Sequence, residues 1–143
     1  HNLQRTTAKV IVFLPKIFRC MEFDKQYFLE MCNKISEKTL MRTLDIVYTD
    51  AGPDFLTATM PVNSRVHQPM GLLHGGAMVA LAESVGSAAS LILVNPDKQE
   101  VRGIEISANH VRSIREGVVT GTARIVHKRK SVHRWEIRIT DEK

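Results

Sequence analysis

A chain of 143 residues, 43% hydrophobic and 24% charged, has the length for one domain with a sizeable core and the composition of a globular protein. Its longest apolar runs, Val10–Leu14 and Leu91–Val94, fall far short of the roughly 18 residues a membrane-spanning helix needs. The formal charge of +5 does not imply a nucleic-acid partner: Arg5, Lys9, Lys16 and Arg19 lie in the first twenty residues with no acid among them, which leaves +1 for the rest.

Residues 1–20 differ in character from the rest of the chain. Their basic start and short apolar piece imitate a targeting segment, but they lack the longer apolar region and small-residue cleavage site of a secretory signal. They are expected to be a non-native or upstream leader, with Met21 as the natural start and residues 21–143 as the domain. Cys20 and Cys32 have neither metal-ligand spacing nor a disulfide framework, which suits a reducing cytoplasm.

Asp24 is placed to cap a helix whose apolar positions Phe28, Met31, Cys32 and Ile35 follow helical spacing. Leu44–Thr49 and Phe55–Met60 predict two strands joined through Ala51-Gly52-Pro53-Asp54. A loop with Pro61, Asn63 and Pro69 leads to His74-Gly75-Gly76 and a helix that is small and apolar nearly all round, so it is expected to be buried on most sides until Asn95-Pro96-Asp97. Three alternating runs complete the chain. Ile104, Ile106 and Ala108 alternate with polar neighbours, as do Val119, Gly121, Ala123 and Ile125, then Trp135, Ile137 and Ile139. The pattern predicts an α+β domain, one long helix wrapped by a curved antiparallel sheet.

Glu83 is a carboxylate in the middle of the apolar helix, where burial without a partner is costly. It either lies on a narrow solvent-facing stripe or works with Ser87, four residues on and on the same face, to hold and activate a water. The glycines after His74 let a backbone approach a ligand, and the N–H groups of a helix start suit a developing oxyanion; a plain glycine-rich helix start gives the same sequence. No serine sits in a nucleophile elbow, no cysteine or paired-histidine spacing forms a zinc set, and no phosphate-binding glycine motif occurs.

Together Gln68-Pro69-Met70-Gly71-Leu72-Leu73-His74-Gly75-Gly76, Leu81-Ala82-Glu83-Ser84-Val85-Gly86-Ser87 and Ile106-Ser107-Ala108-Asn109-His110 resemble the hotdog-fold thioesterases related to phenylacetate-pathway enzymes. Within that group the likeness is to the branch that acts in menaquinone biosynthesis and enterobactin proofreading, and it runs from Met21 to Lys143. The resemblance implies hydrolysis of a small aryl- or acyl-CoA, 1,4-dihydroxy-2-naphthoyl-CoA among them, without a metal or other cofactor. Glu83 would be nucleophile or general base. Gly75 would give its N–H to the thioester oxygen with Gln68 assisting, His74 would orient the thioester, and Ser87 would position water. His110 would line the acyl pocket, its shape set by Met70, Met78, Val85, Ala88 and Leu91. Lys128, Arg129, Lys130 and Ser131 would meet the phosphates of coenzyme A. The resemblance further implies a homodimer with shared active sites, paired into a tetramer, and no nucleic-acid or membrane partner. Two features depart from the family: Arg129 stands where relatives carry glycine, and relatives continue beyond Lys143 into one further strand, so a sheet lacking its final strand is expected. A carrier-protein thioester as substrate and a non-catalytic acyl-CoA-binding module are the alternatives.

Overall fold

A computed structural model describes residues 2–12, 23–95 and 97–142. Helix α1 (Lys25–Ile35) starts where the sequence predicts, with the Asp24 carboxylate accepting the Tyr27 N–H at 2.9 Å, and it turns Phe28 and Cys32 inward. A short helix α2 (Leu40–Thr43) follows, and Asp45 then takes a positive φ of 51°. The first predicted strand therefore begins at Val47 instead of Leu44. β2 (Val47–Gly52) and β3 (Phe55–Val62) form the expected hairpin.

The long helix α3 (Gly75–Leu91) lies across the sheet, and β4 (Val101–His110), β5 (Gly117–Lys128) and β6 (Val132–Asp141) form the last third. Leu56, Ala58 and Met60 of β3, Val119 and Ala123 of β5, and Trp135, Ile137 and Ile139 of β6 pack on Leu81, Ala82, Val85 and Ala89 of α3, all fully buried. Each Leu or Ile side chain removed from water in this way contributes about 1.5–3 kcal/mol. The Trp135 indole N–H donates to Ser90 Oγ at 2.8 Å, so the largest core side chain leaves no polar atom unmet. Gly86 lets α3 come close to the sheet; a Cβ there would lie 3.1 Å from the Ala8 methyl. Among the described residues no helix is long and apolar enough to cross a membrane.

The first segment departs from expectation. Asn2–Val12, read from sequence as part of a leader, forms strand β1, which pairs antiparallel with β6 on one side and β4 on the other. Among the described residues the sheet order is β2-β3-β5-β6-β1-β4, so six strands are present and the anticipated gap is filled. The physical reason is a double ladder with an inward-facing Ala8, 1% exposed against α3. Residues 13–20 of the expected leader lie outside the described residues.

Candidate active site

Glu83 projects from the middle of α3 and is half-buried, on a helix face that it shares with the half-buried Ser84, Ser87 and Ala88. Helical spacing brings Ser87 beside it, and the serine hydroxyl donates to Glu83 Oε1 at 2.9 Å. Oε2 has no hydrogen-bond partner among the described residues, so one oxygen is held and the other is presented. The carboxylate lies on the wall of a cavity of about 380 Å³ between α1, α2, α3 and the start of β4. Ile35, Leu40, Met41, Ala88, Leu91 and Val101 make that cavity apolar. Its other polar groups are occupied: Tyr48 O–H donates to the Ser84 carbonyl at 3.2 Å, and Ser36 O–H to the Cys32 carbonyl at 2.7 Å. Burial pushes the Cys32 thiol up to about 11, and burial with the Cys32 charge raises Tyr48 well above the usual phenol range. Both therefore stay neutral near pH 7, and among the described residues Glu83 is the one carboxylate on the cavity wall.

A second group gathers at the N-terminus of α3. His74 caps the helix, its Nδ1 accepting the Gly76 N–H at 2.8 Å, while the Gly75 N–H at the first helical position has no intrahelical acceptor. His110 closes β4 directly over Gly75; a Cβ on that glycine would lie 2.9 Å from the imidazole Nε2. In the preceding loop Gln68 accepts the Met70 N–H with its side-chain oxygen, which leaves its amide NH₂ to donate elsewhere. The loop is fastened by His74 N–H to the Val66 carbonyl and Leu73 N–H to the Ile114 carbonyl, each 2.8 Å, and by Arg115, which donates to the Met70 carbonyl at 3.1 Å. The Met70 side chain is exposed.

The structure thus joins Glu83 to Ser87, and Gly75 to His74 and His110, but keeps the two groups apart. Eight residues of helix separate Gly75 from Glu83, about 12 Å of rise. The basic turn is farther off. Glu83 faces Gly103, which pairs with Val10, which pairs with His133, which pairs with Lys128, so the turn stands three strand spacings, about 14 Å, across the sheet. Lys128, Arg129, Lys130 and Ser131 are all exposed there, and Arg129 Nε meets His127 Nε2 at 3.0 Å. Of the side chains expected to shape the pocket, Ala88 and Leu91 line the cavity; Met78 and Val85 are core residues, 3% and 0% exposed.

Sequence reasoning passed over three parts of this site. The cavity walls Met41 and Tyr48 come from elements whose packing against α3 is a tertiary fact. Arg115, which ties the Gln68 loop, reads as an ordinary turn residue. Gly103 faces Glu83 at close range, and here a signal existed: a lone glycine inside a strand pattern marks a bulge or a close approach.

A family model described as thioesterase superfamily matches residues 70–143. The 1,4-dihydroxy-2-naphthoyl-CoA hydrolase of Escherichia coli is 48% identical over 123 residues, covering 86% of this chain and 90% of its own. A proofreading thioesterase, EntH, of Cronobacter sakazakii is 48% identical over 85% of this chain and 88% of its own. Among solved structures, a mutant thioesterase from Pseudomonas aeruginosa superposes with a TM-score of 0.70 at 36% identity, covering 79% of this chain and 94% of its own. A thioesterase from Haemophilus influenzae does so with a TM-score of 0.70 at 31% identity, covering 85% and 93%.

Proposed function

Because this chain belongs to the thioesterase superfamily and is a hotdog-fold hydrolase of acyl-CoA thioesters, we propose that Glu83 is its catalytic carboxylate and a small aryl-CoA its substrate. The observation that carries the reading is the Glu83–Ser87 pair on the wall of a largely apolar cavity whose other hydroxyls are already hydrogen-bonded. Ser87 holds Oε1, and Oε2 either takes a proton from an attacking water or attacks the thioester carbon itself. In both routes the carbonyl oxygen gathers negative charge, the C–S bond breaks, and the departing coenzyme A thiolate picks up a proton. Net, one water is consumed and a free acid and a thiol are released. The apolar walls suit an aromatic ring or short chain, and 1,4-dihydroxy-2-naphthoyl-CoA is the first candidate because the Escherichia coli relative is named for it.

The oxyanion needs donors within about 3 Å of the carbonyl oxygen. The Gly75 N–H, with His74 and His110 beside it, and the Gln68 amide are the groups suited to that task, yet Gly75 lies about 12 Å along α3 from Glu83. A second copy resolves this. β4 is an edge strand of the sheet and carries an exposed Ile104, so it can pair with the β4 of another molecule and bring that molecule's Gly75 and Gln68 to this Glu83. The working unit in this reading is a dimer with two shared sites, which can pair again into a tetramer. The exposed turn Lys128-Arg129-Lys130-Ser131 supplies cations for the phosphates of coenzyme A.

The test is release of coenzyme A from benzoyl-CoA, 1,4-dihydroxy-2-naphthoyl-CoA and hexanoyl-CoA by wild type and Glu83→Ala. Loss of a positioned acid or base costs about 10²–10⁴-fold in kcat. Turnover persisting in a folded Glu83→Ala protein would sink the assignment of Glu83, and preference for hexanoyl-CoA would sink the aryl substrate.

A further inference from the structure

β4 changes face at one point. Ile106 and Ala108 are half-buried, and strict alternation would turn Ile104 inward after them. The ladder to β1 instead steps from Lys9 opposite Glu105 to Val10 opposite Gly103, so Ile104 is left out of register as a bulge and stands 50% exposed. Beyond the bulge it is Gly103 that faces Glu83, and Val101 that lines the cavity.

An ideal Cβ on Gly103 would lie 2.2 Å from Glu83 Oε1, 3.0 Å from its Cδ and 3.2 Å from Oε2. The three nearest atoms all belong to this one carboxylate. The backbone itself does not ask for glycine here, since positive φ among the described glycines occurs at Gly71 and Gly117. What the missing side chain provides is room for the acid. Oε1 is bounded on one side by the Ser87 hydroxyl and on the other by the bare Cα of Gly103.

We propose that Gly103, turned toward α3 by the bulge at Ile104, is the seat of the Glu83 carboxylate and a positioning residue for thioester hydrolysis. The proposal rests on the reading of Glu83 as the catalytic acid. A methyl group at position 103 and the present carboxylate cannot share the same space. The carboxylate is the flexible partner, so it swings away, loses Ser87, and withdraws Oε2 from the reacting carbon. Folding is little affected, because the collision is relieved by rotating the free end of one side chain. Chemistry is affected strongly, because misplacement by about 1 Å costs about 10²-fold.

The experiment compares kcat, KM and melting temperature for wild type, Glu83→Gln, Glu83→Asp, Gly103→Ala and the Glu83→Asp/Gly103→Ala pair. Expected for Gly103→Ala is an unshifted melt, a KM within about threefold of wild type, and a kcat lower by about 10²-fold. In the Glu83→Asp background, where the acid is one methylene shorter and clear of the methyl group, the same substitution costs less than about threefold more. Equal loss of kcat in both backgrounds would show that the glycine serves the strand, and would overturn the proposal. So would a near-normal kcat in Gly103→Ala when Glu83→Gln is inactive. Turnover surviving in Glu83→Gln is a separate failure, that of the catalytic reading, and removes the purpose of the seat. Should Gly103→Ala fold poorly, its melt with Glu83→Ala decides: recovery supports the collision, and no recovery refutes it.

Discussion

His133 makes the stability of this protein depend on pH in a way that can be calculated. It lies on β6 between Val10 of β1 and Lys128 of β5, on the face shared by Trp135, Ile137 and Ile139, and it is 2% exposed. Its Nδ1 is buried without a hydrogen-bond partner. Burial first, and the charge of Lys128 second, lower its pKa from 6.5 to about 4. Below pH 6.5 the unfolded chain binds a proton that the folded chain refuses, so stability contributed by the neutral ring is full above 6.5 and is lost as pH falls toward 4. At about 1.4 kcal/mol per pH unit the loss is about 2 kcal/mol by pH 5 and about 3 kcal/mol by pH 4, where folded protein takes up the proton too. His133→Leu has similar volume, cannot titrate, and removes the unpaired nitrogen, so at pH 7.5 it should be at least as stable as wild type. Urea unfolding of both proteins, at one fixed protein concentration, from pH 7.5 to 4.5 gives the difference directly. A wild-type-minus-variant difference that stays flat between pH 6.5 and 5 would refute the account of His133.

Two further outcomes are expected from the shared site and the basic turn. Mixing Glu83→Gln subunits with Gln68→Ala subunits should restore about a quarter of wild-type turnover, since half the dimers are hybrids and each hybrid has one intact site; no restoration would mean that each chain works alone. Arg129→Ala and Lys130→Ala should each raise KM for an acyl-CoA about two- to fivefold in low salt while leaving kcat unchanged, and the difference should shrink as salt is added; a KM indifferent to both would remove the turn from coenzyme A binding.

Some of this architecture was legible in the residues, and the division has a physical basis. Features governed by local periodicity came through: the capped α1, the buried α3, and the Glu83–Ser87 hydrogen bond that four-residue spacing on a helix almost guarantees. Alternation also placed β5 and β6 correctly. It failed in β4, because the bulge that sends Ile104 outward is imposed by β1, about 95 residues earlier in the chain. The same distance hid β1 itself: Asn2–Val12 resembles a leader when read alone, and only its two flanking partners make it an interior strand. Separation of Gly75 from Glu83 followed from simple helix geometry and was available from the start. The nearness of Gly103 to Glu83 was not, since no spacing along the chain relates a strand to a helix.

The position of β1 also bears on how the chain reaches this structure. During synthesis residues 2–12 emerge well before their partners at 101–110 and 132–141. The entropic cost of closing such long loops grows only logarithmically with length, so the equilibrium is hardly affected. The rate is affected, because pairings of high sequence separation are slow to form. Until β1 docks, β6 and β4 each present an open edge, and β4 has no other strand partner among the described residues. A refolding intermediate with β2, β3, β5 and β6 assembled around α3, and β4 still unprotected against hydrogen exchange, is the natural consequence, and it is the species from which misassembly at high concentration would start.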